Sequence, residues 1–106
     1  MLSSLSDSHI QKKVLATAQL GAGHSDGYLS VSSTTLRFEP FNQTYGLGPY
    51  LIHRDEISKV EPTYGKGGGF IPVVAEAITI TMADSRQYQF VLADAAGWIA
   101  LLQPAQ

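Results

Sequence analysis

The chain has no cysteine in its 106 residues, so no disulfide can staple it and neither a thiolate nucleophile nor a Cys-based zinc site can be built. That absence suits a reducing compartment without demanding one. Charge is scarce as well: 7 Lys and Arg stand against 9 Asp and Glu, a net of −2. A nucleic-acid binder presents a basic face, so nucleic acid is not an expected partner. The same balance argues against unspecific attraction to anionic membranes. No run approaches the roughly 18 apolar residues of a membrane span. The opening MLSSLSDSHIQKK lacks the charged start and continuous apolar block of a signal peptide. These absences predict one soluble, cytoplasmic domain over 1–106 with a loose polar lead-in over 1–9.

What is present reads as β. In YLSVSS, Leu29 and Val31 face one way and Tyr28, Ser30 and Ser32 the other. In LRFEP, Leu36 and Phe38 point inward, Arg37 and Glu39 outward, and Pro40 ends the strand. YLIH is a short strand, and DEISKVEPTY carries Ile57 and Val60 at a spacing that calls for a bulge. AITITMADSRQYQFVL is a hairpin, with Ile78, Ile80 and Met82 resumed by Tyr88, Phe90 and Leu92 after the turn ADSR. KKVLATAQL fits either period, GAGHSDG reads as a glycine-broken turn, and FNQTYGLGP as a loop or irregular edge. In DAAGWIALLQPA the period lengthens: Asp94 can cap a helix whose face holds Ala95, Trp98 and Leu102, flanked by Ile99 and Leu101. The expectation is a mainly β chain of about six or seven short strands closed by one C-terminal helix.

The ordered set VLATAQL, DGYLSVSSTTLRFEPFN, YLIHRDEISKVEP, GFIPVVAEAITITMADSRQYQFVL and WIALL resembles the GRAM and bacterial PH-like family over residues 13–102. The pieces that carry it are L-x-F-x-P, D-x-I-x-x-V, the Ile-Pro before a long strand, and I-x-I-x-x-x-D-x-x-x-Y-x-F. The resemblance implies the PH-like superfold, as a two-sheet orthogonal sandwich or partly open barrel plugged at one end by the helix, and it makes KKVLATAQL a strand. The short helix and the glycine-rich stretch 65–69 depart from the pattern.

TYGKGGGFIPVV imitates a phosphate loop, but Lys66 is followed by Gly67 rather than Ser or Thr, and the residues beyond Gly69 are strand formers. It reads as a connection at the barrel rim. His24, Ser25 and Asp26 are triad residue types, but as adjacent residues they cannot adopt triad geometry. His53 and Asp55 share a face if HRDE is extended, without a third metal ligand in view. The chain is therefore expected to be non-catalytic, with no cofactor and no metal.

Two classes of function stay open. Some members of the family bind lipid head groups, yet GAGHSDG, where their cations gather, holds Asp26 and no Lys or Arg. Against that, Tyr28, Tyr45, Tyr50, Tyr64 and Phe70 form either a protein-binding patch or a cap over the barrel's open end. The preferred reading is an interaction module for a protein or peptide, or for a second copy of the chain. The alternative is a peripheral module for phosphoinositide or another anionic lipid. Candidate contacts are Lys12, Lys13, Tyr64, Lys66 and Phe70.

Overall fold

Period-two alternation becomes strands wherever one face can be buried. The computed structural model describes residues 10–21, 23–42, 47–65 and 75–103, with Tyr64, Gly65 and Ala75 through their backbone alone. Seven strands, β1 (Lys12–Leu20), β2 (Gly23–Val31), β3 (Thr35–Pro40), β4 (Tyr50–His53), β5 (Ile57–Gly65), β6 (Ala75–Met82) and β7 (Gln87–Leu92), precede the helix α1 (Ala95–Leu102). A 3₁₀ turn, Arg54–Glu56, joins β4 to β5. The strands make one antiparallel sheet in the order β4-β3-β2-β1-β7-β6-β5, curled into a half-barrel. The ambiguous KKVLATAQL is β1, and it lies mid-sheet between β2 and β7.

Inward residues of every strand meet in one core. Leu29, Val31, Leu36, Phe38, Val60, Ile78, Ile80, Phe90 and Trp98 are buried, and Phe38 stacks obliquely on Phe90 at 5.5 Å between centroids. The register slips between Ile57 and Lys59, which is the expected bulge. Pro62 cannot donate to a ladder, and β5 tolerates it because that edge strand has a strand neighbour, β6, on one side alone.

Two expectations need correction. GAGHSDG is mostly strand: β2 already starts at Gly23, and Gly23 pairs with Leu20 at the end of β1. Gly27 was a turn signal in the sequence, yet it sits in mid-strand, where a Cβ would fall 2.7 Å from Pro40 Cα and closer still to the Glu39 carbonyl oxygen. Close approach of β2 to β3 requires the glycine, rather than a reversal. Ser32, expected to face solvent, is buried beyond the end of β2; its hydroxyl lies 3.0 Å from Thr35 Oγ1 and accepts from Thr35 N–H at 3.2 Å.

Helix α1 lies against β5 and β6 with Ala95, Trp98 and Leu102 buried. Asp94 adopts a left-handed backbone, and its carboxylate accepts from Gly97 N–H at 3.2 Å. The Ala95 N–H donates to Glu76 Oε1 at 3.3 Å, so two of the four orphan donors of the first turn are met by carboxylates. At the other end, Arg54 donates to Leu101 O at 2.8 Å and to Ser32 O at 2.6 Å, joining the helix terminus to the β2–β3 turn. Gln103 Nε2 donates to Val60 O at 2.8 Å. The lead-in 1–9 and the segment 66–74, including the strand formers Phe70–Val74, lie outside the described residues.

Candidate interaction face

Strand register assembles the outer face of β1–β4 row by row. Lys13 pairs with Ser30, Ser30 with Arg37 and Arg37 with Leu51, so these four side chains cross the sheet in a line. In the next row Leu15 pairs with Tyr28 and Tyr28 with Glu39. Beyond it lies Phe41, whose N–H donates to Asp26 O at 2.9 Å and whose ring meets Tyr28 edge-on at 5.2 Å. Leu15, Tyr28 and Phe41 are 63%, 40% and 60% exposed. A single exposed leucine means little, but three large apolar side chains clustered on β1, β2 and the residue just past β3 form an apolar patch in water.

The two adjacent lysines part company. Lys13 lies outward over the Tyr28 ring, 4.7 Å from its centroid. Lys12 takes the other side of β1, where its ammonium is 2.6 Å from Asp94 Oδ2 and 5.2 Å from the Trp98 ring centroid. The hydrogen bond and charge of Lys12, with the Gly97 N–H, hold the Asp94 carboxyl below its ordinary value. Lys12 thus clasps the helix start to β1, and the pair does not converge on one ligand. For Tyr64 only the backbone is described, and Lys66 and Phe70 lie outside the described residues, as does Tyr45.

The open end of the half-barrel is less charged. Gln19, Leu20, Tyr50, Arg86 and Tyr88 surround a depression of about 220 Å³, with Tyr50 edge-on to Tyr88 at 5.0 Å. Burial, and then the neighbouring Tyr88, push the Tyr50 hydroxyl above its ordinary pKa. Arg86 is the cation on this rim, and its Nε is held at 2.7 Å by Asp84. The tyrosines therefore divide: Tyr50 caps the opening, while Tyr28 joins the outer patch. Phe41 belonged to a stretch that reads as loop, so the sequence offered no signal for it.

The enzyme-like motifs dissolve in the geometry. Ser25 faces inward and accepts from Leu47 N–H at 2.6 Å, while Asp26 accepts from Thr17 Oγ1 at 2.6 Å on the outer face. His53 ends β4 and Asp55 sits in the 3₁₀ turn, so the segment is not extended across both. Among the described residues no group of three His, Cys, Asp or Glu is placed to hold a metal. Gly65 ends β5 opposite Ala75 at the start of β6, so the glycine-rich connection joins two antiparallel strands. Among the described residues no helix is long and apolar enough to cross a membrane.

No family model and no curated protein matches the chain. Solved structures do. The C-terminal domain of an unknown protein from Leishmania infantum superposes with a TM-score of 0.66 at 16% identity, covering 93% of this chain and 87% of that one. The Slm1 PH domain, crystallised in complex with phosphoserine, superposes with a TM-score of 0.62 at 16% identity, covering 89% and 92%. The seven-stranded half-barrel with its terminal helix has the PH-like fold.

Proposed function

We propose that this chain is a non-catalytic interaction module of the GRAM and bacterial PH-like type that docks a partner polypeptide on the outer face of β1–β3. The observation that carries the reading is the solvent-facing cluster of Leu15, Tyr28 and Phe41. Aromatic and branched side chains give contact area at low entropic cost, and burying each would contribute about 1.5–3 kcal/mol before association costs. A fold shared by many activities assigns none, so the weight rests on this patch.

The alternative is an anionic lipid head group at the open end, the expectation for some members of the family. Polyphosphate recognition needs converging cations, and the described rim offers Arg86 already bound to Asp84. Self-association through the patch is a third outcome of the same test.

The test compares the protein with a Leu15→Glu/Phe41→Glu variant in affinity capture from the native host, with thermal unfolding as the control for folding. A partner held by the parent chain and lost by an equally stable variant supports the reading. Equal capture by both removes it. Sedimentation with phosphoinositide vesicles that needs Arg86, and not the patch, installs the lipid reading instead. A change from dimer to monomer in the variant, with no captured protein, assigns the patch to a second copy.

A further inference from the structure

The described cations are not equally occupied. Lys12, Lys59 and Arg86 stand 2.6, 3.6 and 2.7 Å from carboxylates. Arg54 is engaged by the carbonyl oxygens of Ser32 and Leu101. Among the described Lys and Arg residues, Lys13 and Arg37 alone have neither kind of partner, and both line one groove of about 370 Å³ on the outer face. Register puts Ser30 between them, with Lys13 its neighbour on β1 and Arg37 its neighbour on β3. Strands lie about 5 Å apart, so the two cations flank a hydroxyl across a gap of about 10 Å between their backbones.

We infer that this groove binds a phosphorylated serine or threonine side chain of the partner polypeptide, an inference that rests on the docking reading above. A phosphomonoester brings a charge of about −1.5 to −2 and three terminal oxygens. The Arg37 fork can take two of these, the Lys13 ammonium a third, and the Ser30 hydroxyl can donate between them. A carboxylate would saturate Arg37 alone and leave Lys13 unused. Lys13 gives up little to turn toward the anion, since its cation–π contact with Tyr28 is exposed to solvent and weak.

The rest of the groove favours a peptide over a membrane. Glu39 stands on the same face two residues beyond Arg37 and lines the same groove, so Lys13 and Arg37 do not extend into the continuous basic surface that an anionic membrane attracts. Leu51, 53% exposed, forms an apolar wall beside Arg37 for a residue flanking the phosphate. The patch of Leu15 and Tyr28 is the adjoining row, so one extended chain can lie across both.

The experiment is a two-dimensional NMR titration of the full chain with N-acetyl-O-phosphoserine amide. Its comparators are the unphosphorylated capped serine, inorganic phosphate, and phosphatidylcholine vesicles with and without a phosphoinositide. Expected are saturable shifts confined to Lys13, Ser30, Arg37 and Leu51–His53, with a Kd of about 1 mM and about tenfold weaker binding in Arg37→Gln or Lys13→Gln. Unchanged peaks elsewhere in each variant show that the fold is retained. No shifts, equal shifts with capped serine, or indifference to both substitutions would overturn the inference. So would inorganic phosphate binding as tightly as the phosphoserine probe, or vesicle binding that these substitutions abolish while the probe stays silent. The probe is too small to reach Leu15 or Phe41, so its failure leaves the docking reading standing. Loss of the docking reading is seen separately, as capture indifferent to the patch variant.

Discussion

At the scale of residues, a few side chains carry more of the fold than their number suggests. Gly27 has no room on its inner side, because the backbone of Glu39 and Pro40 fills it. Backbone cannot rotate away as a side chain can, so Gly27→Ala should cost about 1–3 kcal/mol, read as a lowered urea midpoint. Arg54 binds carbonyls of the β2–β3 turn and of the helix end. Arg54→Ala leaves those acceptors unmet and should cost about 1–3 kcal/mol. Lysine cannot span both with one ammonium, so Arg54→Lys should recover little of the loss. Asp94 supplies a pH dependence. Its folded pKa lies below the ordinary 3.8, first through the Lys12 hydrogen bond. The unfolded chain therefore binds the proton more readily, so the contribution is complete above the ordinary aspartate range and disappears as pH falls through the depressed value. Denaturation followed down this range should show the native chain losing stability more steeply than Asp94→Asn. Parallel curves would assign the loss to other carboxylates.

At the scale of elements, legibility followed burial. β3 and the β6–β7 hairpin alternate cleanly in sequence because each has one face in the core and one in water. β1 was ambiguous because Ala16 and Ala18 are small and Leu15 and Leu20, though apolar, are exposed. Gly23 and Gly27 disguised the start of β2 as a turn. The reason for Gly27 lies in a neighbouring strand, and no local pattern could reveal it. Helix α1 was legible through its cap and its 3.6 period, and its role is checkable by removal. Trp98 and Leu102 are buried and Ile99 is packed against the same core. Their loss, at about 1.5–3 kcal/mol each, rivals the net stability of a small domain. A chain truncated after Leu92 should show no cooperative thermal transition, and a native-like melt would refute the structural role given to the helix.

At the scale of the whole molecule, the face proposed for docking exists only in the assembled sheet. Lys13, Ser30, Arg37 and Leu51 belong to four strands and share nothing in spacing; the register alone aligns them. Lys12 and Lys13, neighbours in sequence and both candidate contacts, end on opposite sides of β1 because successive residues of any strand do. Residue types suggested which chemistry was available, while topology decided which groups could act together.

The central position of β1 also governs the order in which the molecule can assemble. β1 through β4 form a meander of neighbours, but the other flank of β1 accepts β7, from the far end of the described sequence. The sheet therefore cannot join its halves until β7 is available, however early β1 and β2 have paired. During synthesis one edge of β1 must wait, its backbone groups open to water or to a foreign strand, until β7 has emerged. Joining such distant strands is slow, in the range of milliseconds to seconds. The single Trp98, buried only when α1 docks, gives that closing step its own fluorescence signal.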